Sequence, residues 1–385
     1  FMIGMGSGNY MTRSLGAGKR ELAEQIVSIA FFTGIIMGLV ITVSATFNIH
    51  RVVLLLGATE TIAPYAEAYA HYIFIAAPFM ICSFIMNNLL RFQGKASFAM
   101  VGITVGGLLN IALDPLFIFT LDMGTAGAAL ATGLSQFISF CILLWMCNHQ
   151  DSCISISIRK FRPKLAIYRE VLYGGIPSLG RQGIASVATI LMNFMCQPYG
   201  DAAIAAMSIV SRFMFFINSV IIGFGQGFQP VCSYCFGAGL YDRVKKACWF
   251  CIRVSTIILL VLSVISFPAA RSIITLFRRN DPTVIEIGTL ALRLQLITLP
   301  LQGAVIMGNM MPQSIGYGFR ATLVSTARQG IFLIPLLTIM TYTIGLLGIQ
   351  CAQPLADIAT FILSLFVIRG IFKEFPEDAS SFAAQ

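Results

Sequence analysis

The stretch Gly4-Met5-Gly6-Ser7-Gly8-Asn9-Tyr10-Met11-Thr12-Arg13-Ser14-Leu15-Gly16-Ala17-Gly18 returns, reduced to its small residues, as Gly225-Gln226-Gly227 and Gly237-Ala238-Gly239. The interval is about 221 residues, and it persists along the chain. Pro78, Asn87 and Gly94 recur as Pro300, Asn309 and Gly316. Gly124, Gly127, Ala131 and Phe140 recur as Gly345, Gly348, Ala352 and Phe361. Asp114-Pro115-Leu116 is echoed, one residue out of step, by Ile334-Pro335-Leu336. Chance does not hold register over so many Gly and Pro positions in order. The chain is a duplication.

The repeated material is apolar. Hydrophobic residues make up 57% of the chain and charged residues only 11%, with a mean hydropathy of +0.84. A soluble domain carries about 25% charged residues, so this composition belongs in a bilayer. Apolar runs of roughly 20 residues, the length a hydrocarbon core requires, follow one another with short polar breaks. They predict spans near 25–48, 66–90, 97–120, 125–147, 172–196, 204–230, 247–268, 286–309, 321–342 and 346–370, with 1–13 as the end of another. Duplicated membrane halves are a mark of secondary transporters.

The net charge of +9 does not point to nucleic acid. Lys19, Arg20, Arg91, Lys95, the basic cluster from Arg159 to Arg169, Arg243 to Lys246, Arg320 and Lys373 fall at alternate breaks. The opposite breaks carry mainly Arg51, Arg271, Arg278 and Arg279. This asymmetry follows the positive-inside rule and predicts a cytoplasmic central loop and C-terminus. No aromatic-interleaved basic stripe is present, so nucleic acid is not an expected partner. The segment from 172 to 221 has no repeat partner upstream, and the first residue is Phe1. The expectation is a chain lacking its first span and the start of its second, with two six-helix lobes and twelve spans when complete. Such lobes cross the membrane in the same sense, as a parallel repeat. The expected divisions are an incomplete N-terminal lobe at 1–147, a cytoplasmic inter-lobe loop at 148–170, a C-terminal lobe at 171–370 and a cytoplasmic tail at 371–385.

Catalytic machinery is not visible: there is no P-loop, Ser/His/Asp set or zinc-protease motif, and only three His. Cys232, Cys235, Cys248 and Cys251 have the spacing of paired zinc ligands, a strong signal in a soluble chain. Their repeat positions are Met11, Ser14, Val27 and Ala30, which are ordinary span residues. The cysteines are read as packing, and no structural metal is expected.

Ionisable groups inside spans are costly unless paired or wet, so each is a functional candidate. Asp114 stands out. Asn110 lies one helical turn before it, so both side chains leave one face, and Pro115 removes a backbone donor and opens the local backbone. A carboxylate, an amide oxygen and a hydroxyl form a hard-oxygen set suited to Na⁺, and the acid alone suits a proton. The alternative is that Asp114 caps a broken helix or bonds a neighbouring span. Arg181, Gln182 and Asn193 lie in one span and either line a substrate cavity or, for Arg181, form a strut to Asp357 or a carbonyl. Arg212, Arg293 and Arg328-Gln329 are read as snorkelling or pairing at interfaces. Asp357, at the repeat position of Gln136, is a weaker cavity or gating candidate.

Gly8 to Lys19, the span ending Arg91-Phe92-Gln93-Gly94, Asn110 to Phe119 and Gly174 to Gln182 together resemble the multidrug and toxic compound extrusion (MATE) transporters, most closely their bacterial drug-efflux branch. The resemblance covers the whole chain. It implies two six-helix lobes around a cavity that opens alternately to the two sides, and export of cationic, amphipathic drugs or dyes driven by Na⁺ or H⁺. It implies a monomer in the bacterial plasma membrane, no cofactor beyond the coupling ion, and no enzymatic activity. By motif it places a cation-coupling set on Asp114, Asn110, Thr132 and the backbone carbonyl of Ala128. The acids used by another branch are absent from 180–192 and 295–311. The competing reading within the same superfamily is a flippase for lipid-linked saccharide precursors, for which Arg181 is the one good pyrophosphate contact. A non-transporting membrane receptor or structural protein is the rival outside transport.

Overall fold

The computed structural model describes residues 1–55, 62–149, 156–279 and 281–376. Among these there is no β-strand. The chain forms α1 (Met2–Gly16), α2 (Arg20–Phe47), α3 (Ile49–Leu55), α4 (Ala63–Phe92), α5 (Ala96–Pro115), α6 (Gly124–His149) and α7 (Leu165–Cys196). It continues with α8 (Asp201–Gly237), α9 (Tyr241–Phe277), α10 (Pro282–Thr298), α11 (Gln302–Ile315), α12 (Gly318–Thr326), α13 (Leu333–Ile344) and α14 (Leu346–Glu374). Two π-helical turns interrupt the regular winding, Leu116–Thr120 after α5 and Ala327–Phe332 between α12 and α13. The chain divides into two compact units between Leu172 and Tyr173.

Each span read from the sequence coincides with a helix or a consecutive helix pair. Among the described residues nine of these are long and apolar enough to cross a membrane. α7, expected as a tenth, has the length at 32 residues but not the composition, because Ser178, Arg181, Gln182 and Asn193 interrupt its apolar run. The expected inter-lobe loop is shorter than 148–170, since α6 continues to His149 and α7 begins at Leu165. Residues 150–155 of it lie outside the described residues. Likewise 371–374 of the expected tail are the last turn of α14, and 377–385 lie outside the described residues.

Burial is inverted relative to a soluble protein. Phe215, Phe216 and Val264 expose 72%, 72% and 64% of their surfaces, while Asn9, Gln229, Gln313 and Asp357 are buried. In lipid the polar groups must find partners inside the bundle and the apolar ones face the tails.

Several hydrogen bonds of the first unit recur at matching positions in the second. Pro78 inside α4 has no N–H to give Phe74, and Thr42 Oγ1 donates to that freed carbonyl at 2.6 Å. In the second unit Pro300 stands in the same relation to Leu296, whose carbonyl accepts from Ser263 Oγ at 2.6 Å. Asn87 Nδ2 donates to the carbonyl of Ala99 at 2.7 Å, and Asn309 Nδ2 to that of Ala321 at 2.8 Å. Each ties a helix to the first turn of the next. Thr12 Oγ1 to the Phe92 carbonyl, 2.9 Å, is matched by Ser233 Oγ to the Ser314 carbonyl, 3.1 Å.

Helix ends repeat too. Gly94 and Gly316 sit at φ +80° and +93°, a conformation that only Gly adopts freely. Beyond them Lys95 N–H returns to the Leu90 carbonyl at 3.0 Å and Tyr317 N–H to that of Pro312 at 2.8 Å, closing both helices with the same cap.

Within the first unit α4 packs against α2 and α6, and α5 against α6; within the second α11 packs against α9 and α14, and α13 against α14. Cys232, Cys235, Cys248 and Cys251 lie in an apolar core with Phe228, Met307 and Ile368. They fill it as small apolar side chains, and among the described residues no group of three His, Cys, Asp or Glu is arranged to hold a metal.

Candidate functional site

Helices α5 and α6 run close together because one supplies small residues where the other supplies bulk. A Cβ on Gly106 would lie 3.0 Å from the Ser139 Cβ and 3.4 Å from the Ser135 carbonyl, and one on Gly127 would lie 2.7 Å from the Phe117 carbonyl. Ser139 Oγ donates to the Gly102 carbonyl at 2.8 Å and fixes the register. That register brings Asn110 opposite Thr132.

Asn110 Nδ2 donates to Asp114 Oδ1 at 3.1 Å and to Thr132 Oγ1 at 3.3 Å, and Thr132 Oγ1 donates to the Ala128 carbonyl at 3.0 Å. All four residues are half-buried. The structure therefore joins into one hydrogen-bonded set the Asn110–Asp114 pair read from the sequence and the Thr132 and Ala128 that the family resemblance added. Among the described residues no Lys, Arg or His forms an ion pair with Asp114. A carboxylate, a hydroxyl and a main-chain carbonyl, oxygen ligands of the kind a small hard cation selects, lie around the Asn110 amide, whose Nδ2 donates to the first two. α-Helical winding continues through Pro115 and then loosens into the π turn, where Leu121 N–H reaches back to the Leu116 carbonyl at 3.0 Å. The opened backbone expected at Pro115 thus appears one residue later.

The second unit carries a different polar centre. Asp357 is fully buried. Its Oδ1 accepts from Arg328 Nε at 2.8 Å and from Gln353 Nε2 at 3.0 Å, and its Oδ2 accepts from Gln302 Nε2 at 2.9 Å. The strut considered between Arg181 and Asp357 is not formed: Arg328, in the π turn that directly follows α12, occupies the carboxylate instead. Arg328 was read from sequence as an interface residue, and its partner could not be named there. Gln302 and Gln353 were missed. The available signal was Gln353 one turn before Asp357, the spacing of Asn110 and Asp114, at the repeat position of Thr132. Arg181 is half-buried and makes no ion pair among the described residues, and Gln182 and Asn193 are exposed on α7.

Two repeated helical units, apolar outer faces and a carboxylate–amide set inside spanning helices define a multi-pass membrane protein of a duplicated transporter fold. The MatE family profile matches residues 1–116 and 177–339, and the chain belongs to that family, the MATE transporters, which are not enzymes. It is 28% identical over 367 residues to the multidrug export protein MepA of Staphylococcus saprophyticus, covering 95% of this chain and 81% of that one. To MepA of Staphylococcus aureus it is 29% identical over 370 residues, with 95% and 81% covered. A solved outward-facing multidrug resistance MATE family transporter of the MOP superfamily superposes with TM-score 0.91 at 25% identity, over 98% of this chain and 85% of that one. A MOP superfamily transporter from Pyrococcus furiosus gives the same TM-score, identity and coverage.

Proposed function

We propose that this chain is a cation-coupled multidrug antiporter that exports cationic, amphipathic compounds across a bacterial plasma membrane, with its central loop and C-terminus in the cytoplasm. The observation that carries the reading is the Asp114 set: a carboxylate within a membrane span, bonded to an amide and through it to a hydroxyl, with no basic partner among the described residues. Such a group is expensive to keep charged at that depth, so taking up Na⁺ or H⁺ changes the stability of its surroundings. The MepA relatives are multidrug export proteins, which supports multidrug export as the activity.

In the proposed cycle the ion is taken by Asp114, with the Thr132 hydroxyl, the Asn110 amide oxygen and the Ala128 carbonyl as further donors. Neutralising Asp114 shifts the packing of α5 on α6. The π turn Leu116–Thr120, whose backbone bonds are the looser ones, absorbs the bend. Ion and drug compete through the protein only if they favour different conformations, so drug affinity falls where the ion is bound. Arg181, Gln182 and Asn193 are assigned to the substrate cavity or its gating. The protein acts as a monomer and takes no cofactor other than the coupling ion.

The test is efflux of a fluorescent cationic dye from proteoliposomes under Na⁺ and pH gradients imposed separately. One gradient drives efflux, and Asp114→Asn lowers that gradient-dependent rate about 5–150-fold, the range of a typical coupling energy. Unchanged gradient-driven efflux in Asp114→Asn overturns the assignment. Binding of a lipid-linked saccharide with no dye response under either gradient selects the flippase.

A further inference from the structure

Both units place one carboxylate between their last two helical spans, but from opposite sides. In the first unit the acid is on the earlier helix, α5, and Thr132 of α6 faces it through Asn110. In the second unit the repeat position of Thr132 is Gln353, and the acid, Asp357, stands one turn beyond it on α14. The earlier segment contributes not an acid but Arg328, on the π turn Ala327–Phe332. The site is thus rebuilt with charge of the other sign on the earlier segment.

We propose that Arg328 is a tethered cation that permanently occupies, in the second unit, the place an exchangeable cation takes at Asp114 in the first. Three observations support it. Asp357 is wholly enclosed and both its oxygens already have donors, whereas Asp114 is half-buried and accepts one bond. The guanidinium enters from a partly exposed backbone turn, its side chain 22% exposed against 1% for Asp357, so it reaches inward to a fixed anion. Gln302 turns a donor to Asp357 and leaves its own Oε1 buried with no hydrogen-bond partner, so the centre has acceptor capacity to spare. A centre with a spare acceptor and an enclosed acid suits a cation, and the chain supplies its own.

The consequence is an asymmetry between two duplicated units. One carboxylate exchanges its counter-charge during transport; the other never does, and it pins α11, the π turn and α14 together. Arg328 is a positioning residue, not a coupling group. The meaning of the first site rests on the proposed function, so the decisive experiment is also run in an Asp114→Asn background, where coupling through that residue is absent.

Arg328→Ala removes the cation and leaves an enclosed acid facing a cavity the size of a guanidinium. The expected outcome is a melting temperature in detergent lower by about 5 °C or more, since opening a buried pair strands a charge. Guanidinium chloride at low millimolar concentration restores much of that loss in Arg328→Ala, and choline chloride at equal ionic strength does not. The wild-type protein responds to neither. Rescue disappears in Arg328→Ala combined with Asp357→Asn, and it persists with Asp114→Asn present. In proteoliposomes the variants that keep Asp114 follow the same order in dye efflux, and the Asp114→Asn background is read by melting alone. If Arg328→Ala cannot be purified folded, Arg328→Gln takes its place with the same readouts. Wild-type melting in the variant, or destabilisation that guanidinium does not relieve, overturns the proposal, because a merely structural arginine has no reason to be replaced by a free cation.

Discussion

Asn87 and Asn309 show what a single polar side chain does in an apolar bundle. Each donates to a carbonyl twelve residues on, Ala99 or Ala321, and so aims the next helix as it leaves the turn. Replacing Asn309 by Leu keeps the volume and leaves that carbonyl without its side-chain donor. Interhelical hydrogen bonds in membranes contribute about 0.6 kcal/mol on average, and up to about 1.7. Asn309→Leu is therefore expected to lower unfolding stability by about 1 kcal/mol, and Asn87→Leu by a similar amount. The two changes share no partner, so their effects add in the double variant. Denaturation in mixed micelles checks both statements, and a clearly non-additive double variant contradicts the second. The identity of these Asn residues was legible from the repeat. That their bonds run forward to the following helix was not, because the acceptor is a main-chain carbonyl and leaves no mark in composition.

At the scale of helices, the close approach of α5 and α6 decides whether the Asp114 set exists at all. Gly127 sits against the Phe117 carbonyl, a backbone atom that cannot step aside, while a Cβ on Gly107 meets nothing within 4 Å. Gly127→Ala is expected to cost about 1–3 kcal/mol through overpacking. By moving α6 it also stretches the Asn110–Thr132 contact, so gradient-driven efflux falls with it. Gly107→Ala, on the open side of α5, is expected to be neutral or to stabilise by up to about 1 kcal/mol, since it only stiffens the helix. Thermal melts of the two variants side by side give the comparison, and equal losses would mean that the packing account of α5 and α6 is wrong. Pro115 was the readable warning on this helix. Its effect, a π turn at Leu116–Thr120, depends on how the chain must still reach Gly124, which no local rule supplies. The matching irregularity in the second unit falls earlier, at Ala327–Phe332, before rather than after the Pro of its helix.

For the molecule as a whole, orientation follows from the placement of charge. The breaks carrying Lys19, Lys95, the Arg159–Arg169 cluster, Lys245 and Arg320 are expected on the cytoplasmic side. A green fluorescent protein fused after Glu374 should then fluoresce, and an alkaline phosphatase fused there should be inactive; the reverse pair of results would invert the topology. Several of these cations also have ordered partners. Lys160 pairs with Glu24 of α2, and Arg320 with Glu374 at the end of α14. Pairs as exposed as the second contribute little to stability, and their role is to hold short connections against their own unit.

The resemblance to MATE transporters added Thr132 and the Ala128 carbonyl to the candidate site, whereas the sequence by itself determined the duplication, the spans and the Asn110–Asp114 pair. Those features are written in local chemistry: Gly where φ is positive, Pro where a donor is missing, apolar length matched to a bilayer, and a one-turn spacing of polar side chains. Tertiary structure alone decided which of the two carboxylates is free. Asp114 and Asp357 look alike along the chain, each an acid in an apolar span with an amide one turn before it. Asp357 meets Arg328 and Gln302 only because α11, the π turn and α14 converge at one depth, and Asp114 meets no such cation among the described residues because α5 and α6 bring none. Charge pairing in a membrane is fixed by helix rotation and packing register, and these are properties of the assembled unit.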